Sequence, residues 1–253
     1  MRAAMTKWRK KYSAQGDLIQ EVNVITVGIL PAESISALKK ALNHDLSLRH
    51  IPFVQAEKEQ DYVEFQRNKS PHLEQISLGE AGCLLAHREA WKIAQSSKYQ
   101  LSLILEDDAT LTRYGSRQIK NLIEDFLKSG VNLLHLGHPL KHPLLPTPQR
   151  LLSLSLRLTL KAFYESCLLK LFHPKFVLRS FPPSSHAYLI KRDFAEALYS
   201  IPVRFEVPVD IVFGSMAQVK QHKVARVRTP LFLQSGRPSL IRKTTNFSRL
   251  SKK

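Results

Sequence analysis

The stretch Leu101-Ser-Leu-Ile-Leu-Glu-Asp-Asp108 decides how this chain is read. Its first five residues form a short apolar run, the pattern of a buried strand, and the run stops abruptly at three carboxylates, Glu106, Asp107 and Asp108. In open α/β sheets, ligands bind beyond the carboxyl ends of the strands, where these acids fall. Three adjacent carboxylates repel one another unless they are solvated or neutralised. A solvated acidic turn is the plain alternative. The buried strand in front favours a divalent cation with oxygen preference, Mg²⁺ or Mn²⁺, held by two carboxylates and ligand phosphates.

Working outward, the neighbouring segments alternate between strand and helix periods. Residues 21–28, EVNVITVG, are β-branched and strand-like, and Ser34 to Asn43 places Ile35, Leu38 and Leu42 on one helical face. A second strand is expected at Ile51–Val54. Ser77-Leu-Gly-Glu80 has the form of a capping box, which opens a helix running to about Ala94 with Leu84, Leu85, Trp91 and Ile93 apolar. Another helix is expected over Ser116–Lys128, with Ile119, Leu122, Ile123 and Phe126 inward, followed by a strand at 132–137. This alternation predicts an α/β fold with a mostly parallel central sheet and helices on its faces. Residues 138–185 break the rhythm with a proline-punctuated loop and the run LLSLSLRLTLK, which suits strand or helix equally. Order returns with a strand at 186–190, helices around Asp193–Tyr199 and from Val209, and strands near Val224–Val227 and Leu231–Leu233. The division expected is a basic segment at 1–20, one domain over 21–236 with a variable acceptor-side insertion at 138–185, and a basic loose tail at 237–253.

The composition of the 253 residues, 43% hydrophobic and 23% charged, excludes disorder and a collagen-like repeat. No apolar run is long enough to span a membrane, and the basic start lacks the apolar centre of a signal peptide, so a cytoplasmic location is expected. Cys83 and Cys167 cannot build a disulfide framework, which fits a reducing compartment. Charge is divided unevenly. The net charge is +2 over residues 1–140 and +15 over 141–253, and no acid follows Asp210. A one-sided field of that kind attracts polyanions, whether nucleic acid, anionic lipid headgroups or phosphorylated glycans. No recognisable nucleic-acid module is present, so nucleic acid is not expected as a partner.

The block from Ser77 through Cys83 and His87 to Trp91, followed by LILEDDATL, resembles glycosyltransferase family 25, of the lipooligosaccharide-biosynthesis galactosyltransferase type. LLHLG at 133–137, HAYLI at 186–190 with Ala195 beyond it, and Pro208-Val-Asp210 follow in the family's order. The resemblance implies an A-type glycosyltransferase fold, a Rossmann-like nucleotide-binding sandwich. It also implies a UDP-sugar donor, a divalent metal (Mn²⁺ or Mg²⁺) at the acidic motif, and inversion at the anomeric carbon. The chain departs from the family in two places: VGILPAESISALKK carries no arginine before Arg49, and Ala86-His87 stands where the family has Ser-His.

Roles follow from that resemblance. Asp108 is the expected metal ligand, with Glu106 or Asp107 as second ligand or ribose contact, and Tyr188, beside His186, is expected either to line the sugar pocket or simply to pack. Asp210, after Pro208-Val209, is the expected base toward the acceptor hydroxyl, and its plain alternative is a helix N-terminal acid favoured by the macrodipole. His87 is the second catalytic candidate beside its alternative as a satisfied structural histidine. His135, His138 and His142 have metal-like spacing but straddle a strand end and a proline loop, and Cys83 reads as a small core residue. Arg226, Arg228, Arg237, Arg242 and Lys243 are candidates for phosphate or anionic-acceptor contacts.

The expected activity is transfer of a hexose, galactose, from a UDP-sugar to a lipid-linked or surface glycan, peripheral on the inner membrane. Alternatives are a catalytically impaired family member acting as a membrane-surface scaffold, and a metal-dependent phosphodiesterase. Basic residues beside Leu151, Leu154, Leu156, Leu158, Phe163, Leu168, Leu169 and Phe172 motivate the expected contact with an anionic membrane surface.

Overall fold

The first half of the chain supplies strand β1 (Val22–Val27), helix α1 (Ala32–Leu42), strand β2 (Leu48–Ile51), a 3-10 turn (Ala56–Lys58), and helices α2 (Gln60–Asn68) and α3 (Leu78–Gln95). Strands β3 (Leu101–Glu106) and β4 (Ala109–Leu111), helix α4 (Arg113–Lys128) and strand β5 (Leu133–His135) follow. The second half gives β6 (Phe176–Leu178), β7 (Ala187–Lys191), α5 (Arg192–Tyr199), α6 (Val209–Gln218), β8 (Val224–Val227) and β9 (Phe232–Gln234). The computed structural model describes residues 22–43, 48–52, 54–68, 76–137, 176–178, 185–219 and 221–235. The expectations for the N-terminal segment, the tail from 237, and most of 138–185 with its leucines, Cys167, His138 and His142, lie outside the described residues.

Seven of these strands form one sheet in the order β2-β1-β3-β7-β5-β8-β6. Strands β2, β1, β3, β5 and β8 point one way, while β7 and β6 run against them. The α/β fold with a mostly parallel central sheet is therefore found, with β7 inserted antiparallel at its centre. The β4 strand and β9 form a separate two-stranded ribbon beside the carboxyl edge. The second strand falls at Leu48–Ile51, three residues before the position expected from sequence.

Side-chain alternation divides the core into two layers. Val24, Leu103, Leu105, Leu134 and Leu189 meet α1 and α4, whose inward residues include Leu38, Leu42, Ile119, Leu122, Ile123 and Phe126. Ile25, Ile104, Leu133, Tyr188 and Val224 meet α3, α5 and α6 on the other face. Helix α3 buries Gly79, Ala81, Gly82, Ala86, Ala90 and Ala94, small residues that let its backbone lie close to the sheet. Its start is fixed by the expected capping box. Ser77 Oγ accepts from the Glu80 amide at 3.2 Å, and Glu80 Oε2 accepts from the Ser77 amide at 2.9 Å.

Candidate active site

Alternation along β3 directs Ser102, Ile104 and Glu106 toward α3, so the strand's last residue aims its carboxylate at that helix. Cys83, His87 and Trp91 recur every four residues on α3. Their meeting makes a buried chain of polar groups. His87, with no solvent exposure, has Nε2 3.1 Å from Glu106 Oε1 and Nδ1 2.9 Å from the Tyr188 hydroxyl. Trp91 Nε1 donates to the same hydroxyl at 3.0 Å. From the other side Ser185 Oγ donates to Glu106 Oε1. Register explains why Tyr188 takes part, since it lies opposite Ile104 on β3 and His135 on β5.

Electrostatics separates the two main acids. Burial alone would raise Glu106, but the hydrogen bond and charge of His87, with Ser185 and His186, hold it below the usual carboxylate range. Asp210, in the first turn of α6, is pushed up to about 7 by burial and then by the Glu106 charge, with His87 and Ser185 pulling the other way and Glu80 adding to the rise. One carboxylate stays ionised while its neighbour is poised near neutrality. That split is how paired acids take on different tasks. Burial and the surrounding carboxylates push the Cys83 thiol well up, and burial does the same for Tyr188.

The remaining acids occupy the turn between β3 and β4. Both Asp107 and Asp108 are partly exposed there. The Ser235 amide donates to the Asp108 carbonyl at 2.8 Å, which ties the turn to the β4–β9 ribbon. Gly28, just past β1 at φ +80°, lets Asp107 approach, because a Cβ there would lie 2.9 Å from Asp107 Cβ. Gly137 does likewise for His186, whose ring occupies the place of its absent side chain. The His186 carbonyl accepts from the Glu106 amide at 2.8 Å, so the entry to β7 is pinned against the end of β3.

The structure brings Glu106, His87, Tyr188 and Asp210 into one neighbourhood at the carboxyl edge, with Asp107 and Asp108 on the adjoining turn. Tyr188 has no solvent exposure and its hydroxyl is engaged by His87 and Trp91, so of its two expected roles the structure shows the packed one. His87 is equally enclosed, with Glu106 as one of its hydrogen-bond partners. His135 packs in the core against Tyr188 and Phe213. Arg226 is buried near the end of β8, with Arg228 exposed beyond it. Sequence reasoning missed Ser185, whose only signal was its place directly before His186. A cleft of about 200 Å³ between α3, α5 and α6, lined by Leu84, Arg88, Trp91, Ile201 and Val212, contains none of these acids.

The mostly parallel sheet gathers acids beyond the end of its central strand β3, the edge at which open α/β sheets commonly bind ligands. Residues 19–213 match the model of glycosyltransferase family 25 (LPS biosynthesis protein), and the chain belongs to that family and so to the glycosyltransferases. Among solved structures it resembles glucosyl-3-phosphoglycerate synthase from Mycobacterium tuberculosis, in complex with Mn²⁺, UDP and phosphoglyceric acid, at 15% identity and TM-score 0.41, covering 88% of this chain and 75% of that one. Residues 1–349 of S. aureus TarS in complex with UDP-GlcNAc match at 10% identity and TM-score 0.44, covering 89% of this chain and 61% of that one. A glycosyltransferase involved in glycosylation of the major capsid of PBCV-1 matches at 8% identity and TM-score 0.34, covering 79% and 68%. All three are distant in sequence and in superposition.

Proposed function

We propose that this chain is a metal-dependent inverting transferase moving a hexose, galactose, from a UDP-sugar to a lipooligosaccharide or other surface-glycan acceptor. The observation that carries the reading is the pairing of a partly exposed acidic turn, Asp107-Asp108, with Asp210, a separate acid of pKa about 7. The two carboxylates of the turn are hard oxygen donors, a set that suits Mg²⁺ or Mn²⁺, whereas Glu106 Oε1 is turned inward to His87 and Ser185. Asp108, with Asp107 beside it, would hold the ion. When bound, such a cation stabilises the charge that develops on a departing nucleoside diphosphate.

The chain's own groups do the rest. Asp210 takes the proton from the acceptor hydroxyl, a task suited to a carboxyl whose pKa lies near the working pH. Glu106 stays ionised and keeps Asp210 basic enough for that task. His87, Tyr188, Trp91 and Ser185 fix the Glu106 carboxylate against rotation.

A thermal-shift series with nucleotides and nucleotide sugars, with and without Mn²⁺, tests the reading, since a ligand stabilises with the logarithm of its saturation. A melting-temperature rise with a UDP-sugar that depends on Mn²⁺ is expected. No rise with any nucleotide sugar overturns it.

We also place the working enzyme on the cytoplasmic face of an inner membrane. The +15 net charge of residues 141–253 supports this, and no helix among the described residues is long and apolar enough to cross a membrane. Flotation with anionic liposomes should show binding at low salt that is lost at high salt. Absence of binding at low salt rejects it.

A further inference from the structure

Cys83, His87 and Glu106 each present one donor atom, and the three atoms lie within 4.8 Å of one another behind the acidic turn. We propose that they form a second metal site, separate from the turn and selective for a thiophilic, zinc-like divalent ion. The inference goes beyond glycosyl transfer and stands on this geometry whatever the donor proves to be.

Chemistry distinguishes the two places. A thiolate, an imidazole and a carboxylate suit zinc, whereas the oxygen-only turn suits magnesium or manganese. Around tetrahedral zinc, nitrogen and oxygen ligands at about 2.0–2.1 Å sit roughly 3.3 Å apart. The His87 Nε2 to Glu106 Oε1 separation is 3.1 Å, a hydrogen-bonded contact close to that spacing, in which an ion would take the place of the shared proton. Cys83 lies one turn before His87 on the same helical face, with its sulfur within 4.8 Å of the other two donors.

The outer shell is also in place. Metal-binding histidines commonly donate their second ring N–H to a fixed acceptor. Tyr188 offers its hydroxyl to Nδ1 at 2.9 Å and is itself fixed by Trp91. In the metal-bound form Nδ1 would carry the proton toward Tyr188, and Nε2, which gives up its hydrogen bond to Glu106, would offer its lone pair to the ion. Asp210 interacts electrostatically with Cys83, Glu106 and His87 and stands outside the three-donor cluster. Binding releases the thiol proton, and any proton on Nε2, to solvent. An ion held there would occupy Glu106 and restrain Asp210, so zinc would inhibit transfer.

Cobalt(II) alone, titrated into the metal-free full chain, is the test. A thiolate-to-cobalt charge-transfer band in the near ultraviolet, with intense tetrahedral visible bands, is expected. Cys83→Ser should abolish the near-ultraviolet band and weaken zinc binding at least about tenfold, while Cys167→Ser should leave both unchanged. Tyr188→Phe should weaken zinc binding about 10–100-fold, the usual effect of removing an outer-shell partner. Asp108→Ala should retain the band; its loss there would merge the two sites and overturn the proposal. Absence of the band in the wild-type chain, or its survival in Cys83→Ser, also overturns it. Zinc-induced thermal stabilisation of the wild-type chain gives a reading that needs no variant, and no stabilisation counts against the site. Failure of the transferase reading would leave the cobalt band in place.

Discussion

The two faces of the sheet are built to different ends. On the α1 and α4 side the layer is nearly pure hydrocarbon, and Thr26, bonded to His50 Nδ1 at 3.1 Å, is the buried polar strand residue there among the described residues. On the α3, α5 and α6 side, alternation places Asn23, Ser102, Glu106, His135 and Arg226 beneath the helices, joined by His87. Each buried polar group must find a partner or cost free energy, so a face that carries six of them is the harder one to satisfy. The hydrocarbon layer supplies the stability that lets its opposite tolerate a buried carboxylate beside a second acid.

The largest test of that contrast is Asp108→Ala, at the rim. Transfer and metal-dependent UDP binding should be abolished, with initial rates down by about a thousandfold or more and the melting curve unchanged. Wild-type turnover in this variant would break the assignment.

Asp210→Asn comes next. Turnover should fall about 10²–10⁴-fold while donor affinity holds, because a base acts on the acceptor and not on the diphosphate. Wild-type kcat/KM should decline as pH falls below about 7, the point at which Asp210 takes up its proton. Stability runs in the opposite sense. The folded state holds the Asp210 proton more tightly than the unfolded chain, so its contribution favours folding below the ordinary aspartate value of 3.8 and is lost as pH rises through about 7. The melting temperature of Asp210→Asn relative to wild type should therefore rise between pH 4 and pH 8. A constant difference would contradict the raised pKa.

On the apolar face, Phe126→Ala should cost about 3–5 kcal/mol in denaturant unfolding while the folded fraction keeps its kcat. A specific loss of kcat would show that the two faces are coupled. Smallest is Ser77→Ala, which removes the α3 cap and should cost about 1 kcal/mol.

Much of the architecture was legible because local pattern carries it. The β-branched run before Gly28, the Ser77/Glu80 box and the inward stripe of Ile119, Leu122, Ile123 and Phe126 each specify an element without reference to the rest of the chain. Helix α2 escaped notice because Tyr62 is its buried residue, leaving little periodicity to read. The reversal of β7 was illegible for another reason. An apolar run such as Ala187 to Ile190 reads alike in either direction, and direction is set by how the chain returns to the sheet. The acids were visible as a triplet, but their separate placements were not. That Glu106 turns inward while Asp107 and Asp108 stay at the rim follows from strand alternation and from His87 waiting opposite, a contact between residues 19 apart. Ser185 joins Glu106 across 79 residues and left no pattern to follow.

Gly28 carries no functional group, yet the acidic turn rests where its side chain would be. In a saturation-mutagenesis survey scored for activity, position 28 should rank with the carboxylates, since every replacement must both adopt φ +80° and push Asp107 outward. A map of intolerant positions would then mark a site that performs no reaction. For this fold, such a map records where atoms are forbidden as well as where they are required.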